Sequence, residues 1–146
     1  MGVRDLVGGQ LVKIASAKLT VNSAATSAFD FGTPNDINLA AASGAPGYGY
    51  RAGDRLLLVV TSTTAGTTNA ISISVQDADD SSGSIGTPAT ALTDGTFTGG
   101  TGDRQFVSMI QVQPGRPWIR VNATGVGTTD THVLTAVVYA VPRGGL

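Results

Sequence analysis

Strict alternation of apolar and polar residues marks the second half of the chain. Ile71, Ile73 and Val75, for example, alternate with Ser72 and Ser74. A period of two is typical of strands with one buried face. One segment differs, because Arg55–Ser62 carries a continuous apolar run, which predicts a strand covered on both faces. The predicted strands of this half are Arg55–Ser62, Asn69–Gln76, Arg104–Gln113, Trp118–Ala123 and Thr131–Val141.

The rest of the chain shows weaker periodicity. Asp77–Gly102 is rich in Asp and Gly, which predicts a long excursion dominated by loops. Ala40–Ala42 could form a single helical turn, and Thr63–Thr68 has the length of a hairpin loop. Shorter strands are predicted at Lys18–Val21, around Ala28–Phe31, at Asp36–Leu39 and near Thr90–Leu92.

These patterns predict an all-β protein. Six to eight short strands with turns at regular spacing are typical of an antiparallel β-sandwich or jelly roll. Residues 1–10 contain Gly and mix apolar with charged side chains, so we interpret them as a short N-terminal arm. Residues 11–146 then form one domain. Because the strongest strands are consecutive, we expect hairpin connections in a meander-like order.

Composition narrows the possible functions. The chain has 146 residues, no Cys, no Glu and a net charge of −1, and its 20 Gly, 19 Thr and 11 Ser make up about a third of it. The charge argues against nucleic-acid binding, and no apolar run reaches the ~20 residues of a membrane span. Asp5 interrupts the apolar stretch that a signal peptide needs, so we expect synthesis in the cytoplasm.

Few residues of the chain have side chains suited to catalysis. His132 is the one histidine, it lies on the apolar face of a predicted strand, and no Gly-x-Ser-x-Gly motif accompanies it. A zinc site needs three or four ligands, which one His and no Cys do not provide. A carboxylate pair for glycoside hydrolysis would have to be Asp–Asp, and no spacing marks one. We expect no enzyme activity and no cofactor or metal.

One loop keeps a second interpretation open. Asp77–Gly83 places oxygen ligands at alternate positions, as calcium loops do. Its glycine comes one position late for an EF-hand, and Pro88 stands where that loop has a bidentate Glu. A solvated turn after a strand explains the same residues, so the sequence is consistent with either a calcium loop or a turn.

Interface residues can be suggested from exposed-looking aromatics and from the arm. Trp118 and Arg120 share a strand face and could lie in a protein interface, bind a ligand, or pack in the core with Arg120 across the indole. The arm mixes apolar and charged side chains and could become ordered on binding. The candidate interface residues are Val3, Arg4, Asp5, Leu6, Val7, Tyr48, Tyr50, Trp118 and Arg120.

Two stretches carry a resemblance to a known family. Residues 45–61, APGYGYRAGDRLLLVVT, form a Gly-rich turn that leads into an apolar strand, followed by the alternating segment 70–76. Residues 107–112 precede QPGRPWIRVN at 113–122, and Thr131–Val141 follows. This order resembles the small capsid cement (decoration) proteins of tailed bacteriophages, including the type known from short-tailed phages. The resemblance covers most of residues 16–141 and fails in Asp77–Gly102 and at the N-terminus.

The resemblance implies a β-sandwich or jelly roll, usually a homotrimer, on the outer surface of the virion capsid. Its implied partners are the major capsid protein and other copies of itself, with no nucleic acid or membrane. The alternative hypothesis is a carbohydrate- or receptor-binding β-sandwich of a phage fibre or spike. Exposed aromatics would favour that alternative, yet aromatics make up only 5% of the chain.

Overall fold

The computed structural model describes residues 11–22, 24–32, 36–39, 53–62, 70–88, 91–98, 104–126 and 131–141. Within these ranges the chain is almost entirely antiparallel β-structure, so the predicted all-β class is confirmed. The strands are β1 Val12–Val21, β2 Thr26–Ala28, β3 Ile37–Asn38, β4 Arg55–Ser62, β5 Ala70–Ala78, β6 Asp80–Ser81, β7 Ser84–Ile85, β8 Ala91–Thr98, β9 Arg104–Gln111, β10 Trp118–Val126 and β11 His132–Ala140.

The long strands form two sheets. Sheet A has the order β1-β11-β4-β9, and sheet B has the order β2-β10-β5-β8, with β3 following β2 along β10. In sequence order, β1 pairs with β11, β2 and β3 with β10, β4 with β9, and β5 with β8. This is the pairing of one long antiparallel ribbon rolled up into two sheets. It is the topology of a jelly roll.

The expected meander is wrong. β4 and β5 do not form a hairpin, because β4 lies in sheet A and β5 lies in sheet B. From β9 to β10 and from β10 to β11 the chain likewise passes between the sheets. Apolar faces of consecutive strands therefore meet across the core instead of lying side by side. The proposed hairpin loop Thr63–Thr68 and the helical turn Ala40–Ala42 lie outside the described residues.

The core lies between the two sheets. In β4 and β11 the even-numbered side chains point inward, and in β5 and β10 the odd-numbered ones do. Burial of each such aliphatic side chain stabilises the fold by about 1.5–3 kcal/mol. The fully buried members of these strands include Leu56, Leu58, Val60, Leu134, Ala136, Val138, Ile71, Ile73, Val75, Ile119, Val121 and Ala123.

The described part of Asp77–Gly102 contains more strand than its composition predicts. β6 and β7 form a small hairpin, in which Asp80 pairs with Ile85 and Ser81 with Ser84. The connecting residues Ser82 and Gly83 have φ values of 55° and 86°. Two central residues at positive φ are typical of the type I′ turn that joins tight hairpins. The predicted short strand near Thr90–Leu92 extends to Thr98 as β8.

Candidate interaction surface

Trp118 is an internal residue. It lies at the start of β10, is only 1% exposed, and donates its indole N–H to Asp80 Oδ1 across 2.9 Å. This hydrogen bond attaches the β6–β7 hairpin, which contains Asp80, to the indole of Trp118. The structure corrects the assignment of Trp118 to a partner interface, because almost none of its surface is left for a partner.

Arg120 is also engaged within the domain. Its Nε donates to Asp36 Oδ1 at 2.7 Å and its Nη2 to Asp36 Oδ2 at 3.0 Å. The Asp36 side chain has no exposed surface, while that of Arg120 is 28% exposed. The hydrogen bonds to Asp36 hold the pKa of Arg120 above its ordinary value, with burial opposing them. Arg120 therefore neutralises a buried carboxylate, and its part in an interface stays a prediction.

Two of the three carboxylates in the Asp77–Gly83 segment, those of Asp77 and Asp80, form bonds within the domain. Asp77 is 4% exposed and forms an ion pair with Arg116, which also donates from Nη2 to the Asp77 carbonyl at 2.8 Å. Asp80 accepts from the Gly83 N–H at 3.0 Å and from Trp118. Both hydrogen bonds lower the pKa of Asp80, and the bond from Gly83 has the larger effect.

These pairings bear on the calcium interpretation. Within the described ranges, no three His or Asp side chains form a group that could hold a metal ion. The Asp77 and Asp80 carboxylates already neutralise Arg116 or accept hydrogen bonds from Trp118 and Gly83. These bonds support the turn interpretation, and calcium binding by this segment stays untested.

His132 is fully buried at the start of β11, where it pairs with Val21 of β1. It shares the inward side of the strand with Leu134 and Ala136. An imidazole in this position is out of reach of a substrate in solution. In the folded chain it is a core residue.

The outer face of sheet A has a different character. Its odd-numbered β4, β9 and β11 side chains point away from the core, and six adjacent ones are apolar. In register, Leu57 lies beside Met109 and Tyr139, and Val59 lies beside Val107 and Val137. Val107 is 53% exposed and Met109 46% exposed, and the other four are partly exposed. We call Leu57, Val59, Val107, Met109, Val137 and Tyr139 the outward patch.

Three cations border the outward patch on one edge and at one end. Lys13 lies beside Tyr139 on the β1 edge, Lys18 lies beside Thr135 on the same strand, and Arg55 lies at one end of β4 beside Gln111. All three are exposed. The four strands of sheet A contain no acidic residue. We call Lys13, Lys18 and Arg55 the basic rim.

The outer face of sheet B is polar, and its side chains bond to one another. Asn122 Nδ2 donates to Gln76 Oε1 at 2.9 Å, and the hydroxyls of Thr26 and Thr124 lie 2.8 Å apart. Trp118 and Arg120 belong to this face and have partners in Asp80 and Asp36. Satisfied polar groups leave little to gain from a new partner. Among the described surfaces, the outward patch is therefore the stronger candidate for binding.

None of the outward patch or basic rim was assigned from the sequence. A signal was present, because the apolar run of Arg55–Ser62 predicts a strand covered on both faces, and the described residues cover only the inner one. In β9, Val107 and Met109 occupy positions opposite the inward residues Phe106 and Ile110. An apolar side chain on both faces of neighbouring strands marks a sheet that needs a second cover.

The other interface assignments lie outside the described residues. These are the arm residues Val3, Arg4, Asp5, Leu6 and Val7 and the aromatics Tyr48 and Tyr50. Their part in binding stays a prediction. Within the described part of the chain there is no helix of a length and hydropathy that would cross a membrane.

The fold and the outward patch define the described part of the chain as a jelly roll with one candidate docking face. No protein-family model matches the chain. No curated protein matches it either. Several solved structures, among them the following three, are similar to it at low identity. A protein of the Bacillus endospore appendages, a family of disulfide-linked pili, is 12% identical over 92% of each chain, with a TM-score of 0.37.

The second similar structure is a protein of infectious bursal disease virus, Gt strain. It is 9% identical, with 94% of this chain and 33% of that chain covered and a TM-score of 0.46. The third is the K3 cleaved adhesin domain of Lys-gingipain from Porphyromonas gingivalis w83. It is 10% identical, with 89% and 97% covered and a TM-score of 0.45. Likenesses at this level assign the chain to no family.

Proposed function

We propose that the chain is a capsid cement (decoration) protein, a structural virion protein that binds the outer surface of a phage head and bridges major capsid protein subunits. The observation that carries the proposal is the outward patch. A protein that exposes adjacent apolar side chains on a flat sheet face presents a typical protein-binding surface. The resemblance of residues 16–141 to the cement family gives the same answer independently.

The size of the face suits a lattice protein. Four strands at ordinary spacing and eight residues of length measure about 20 Å by 27 Å, or on the order of 500 Å². A standard stable interface buries about 800 Å² per partner. One such face alone therefore gives a modest affinity. Copies joined as a homotrimer would engage several capsid subunits at once, and avidity would raise the occupancy.

Stabilisation of the shell then follows from mass action. A protein that binds the assembled capsid and not its separated subunits shifts the assembly equilibrium toward the capsid. This activity requires no catalytic group.

A carbohydrate- or receptor-binding sandwich is the alternative that the test must separate. Sugar-binding surfaces commonly use exposed aromatic rings for stacking. In the described residues the indole of Trp118 is buried, and Tyr139 is only partly exposed on the outward patch. No described contact therefore favours this alternative over the cement function.

The test compares particles made with and without the gene for this chain. Cryo-electron microscopy of the two should show extra density on the outer head surface only when the chain is present. The heads that lack it should lose their DNA at a lower temperature. Density confined to the tail or fibre, together with specific binding on a glycan array, would instead establish the alternative function.

A further inference from the structure

Charge is segregated between the two sheets. Every charged residue in the strands of sheet A is cationic, and the basic rim lies along the β1 edge of the outward patch and at one end of β4. Of the described carboxylates, Asp54 directly precedes β4, and the others lie outside sheet A, among them Asp36 beside β3, Asp77 near the end of β5 and Asp80 in β6. Both lysines of the chain, Lys13 and Lys18, point outward on β1. The surface that exposes apolar side chains is therefore also the cationic one.

We propose that the outer face of sheet A docks onto an acidic protein surface, in which Asp and Glu side chains surround an apolar centre. This inference rests on the proposed function and names the chemistry of the capsid surface that the face recognises. The outward patch supplies the apolar contact. Lys13, Lys18 and Arg55 pair with the surrounding carboxylates of the partner.

Complementary charge favours this partner over a second copy of the chain. A contact between two such faces would give the basic rim of each copy no acidic partner within the strands, because the strands of sheet A contain no acidic residue. Like charges across an interface oppose association. Self-association of the chain is therefore expected through other surfaces, which leaves the outward patch free for the capsid.

A lipid surface fits less well. Binding to anionic membranes commonly uses clusters of four to eight Lys or Arg, about 1 kcal/mol for each. The basic rim has three cations, fewer than such clusters use. The apolar side chains lie within paired strands and not on a loop. The number of charges thus favours a protein partner.

The two parts of the face should act on different rates. Charges at the edge of an interface mainly accelerate association, and their effect falls as salt rises. Apolar contacts in the centre mainly set the dissociation rate. Removal of the basic rim is therefore expected to slow binding at low salt, while polar substitutions in the outward patch shorten the bound lifetime at every salt concentration.

The experiment measures binding of the full chain to isolated heads that were assembled without it. Lys13→Gln/Lys18→Gln is compared with Ala24→Asp/Thr87→Asp, which changes the net charge equally at exposed positions outside sheet A. The lysine variant should associate about tenfold more slowly at about 0.02 M salt and like wild type near 0.5 M, where charges are screened. The control variant should match wild type much more closely.

A second pair tests the apolar centre. Val107→Thr/Met109→Gln should dissociate about tenfold faster, because two patch contacts are lost. Val133→Thr serves as its control, because Val133 is 41% exposed on the same face but outside the outward patch. Circular dichroism and thermal unfolding of all four variants establish that each is folded.

Each outcome decides a different point. Wild-type binding with all variants unaffected would overturn the docking face and leave the cement function standing. No binding of wild type to any head would overturn the cement function itself. Loss of self-association in the Val107→Thr/Met109→Gln variant, measured by analytical ultracentrifugation, would assign the face to a second copy. Lysine-dependent binding to phosphatidylserine vesicles without binding to heads would assign it to a membrane.

Discussion

Arg120 encloses the carboxylate of Asp36 with two hydrogen bonds, Nε to Oδ1 at 2.7 Å and Nη2 to Oδ2 at 3.0 Å. The two residues are 84 positions apart in the chain. Their pairing fastens Asp36 and the adjoining two-residue strand β3 to β10. Because the Asp36 side chain is fully buried, its charge needs a partner inside the domain, and Arg120 provides it.

Replacement of Arg120 by Met should destabilise the protein strongly. The Asp36 carboxylate would stay buried without its partner, which typically costs about 3–5 kcal/mol. Urea denaturation, followed through the emission of the single tryptophan, gives the free energy of unfolding. The double variant Asp36→Leu/Arg120→Met removes both charges and should recover much of the loss. Equal losses in the single and double variants would contradict the ion-pair explanation.

Neighbouring leucines of β4 provide a matched test of the two faces. Leu58 is fully buried between the sheets, whereas Leu57 is partly exposed in the outward patch. Leu58→Ala leaves a cavity and should cost about 2–5 kcal/mol of unfolding free energy. Leu57→Ala should cost about 1 kcal/mol or less and should weaken capsid binding. Equal destabilisation by the two changes would show that the outer face is covered as well as the inner one.

Asp80 should contribute to a loss of stability in acid. Its carboxylate accepts from the Gly83 N–H and the Trp118 indole, and these bonds lower its pKa in the folded state. The charged form therefore stabilises the fold above the ordinary Asp pKa of about 4, and this contribution disappears as the pH falls through the lowered value. In Asp80→Asn, denaturation midpoints measured from about pH 6 downward should depend less on pH below about 4. Parallel curves for the two proteins would contradict this role.

The turn between β6 and β7 should respond to substitution at Ser82. Ser82 has a φ of 55°, a left-handed conformation that most side chains disfavour, and Asn-Gly is the preferred pair of a type I′ turn. Ser82→Asn should stabilise the protein by about 0.5 kcal/mol, and Ser82→Val should destabilise it by roughly 1–2 kcal/mol. Thermal unfolding midpoints of the two variants test this order. A reversed order would mean that Ser82 adopts another conformation in solution.

Much of the strand pattern can be predicted from the sequence. β4 has the predicted bounds, and β11 lies within its predicted segment. β1 begins at Val12, six residues before the predicted Lys18. The sequence pattern missed these residues because the register shifts between Lys13 and Ala15, which disturbs the alternation of apolar and polar positions. β8 runs through Asp94 and Gly95, which have low strand propensity, because pairing with β5 outweighs that preference.

The candidate site was much harder to predict. An aromatic beside an arginine in a strand suggests an interface, yet Trp118 and Arg120 find Asp80 and Asp36 from distant parts of the chain. No local sequence pattern indicates that Asp80 and Asp36 are the partners. The outward patch lies on β4, β9 and β11, three strands that are far apart in the chain, so its members are adjacent in space and scattered in sequence.

The sequence by itself determined the element type and the two sides of the strands with clear alternation, because successive side chains of a strand point to opposite faces and this period is local. It also determined that reactive side chains are scarce. Only the tertiary structure decided which strands pair, which apolar side became the core, and which acids would neutralise Arg116 and Arg120. Those choices depend on contacts between residues far apart in the chain, and a local pattern contains no information about them.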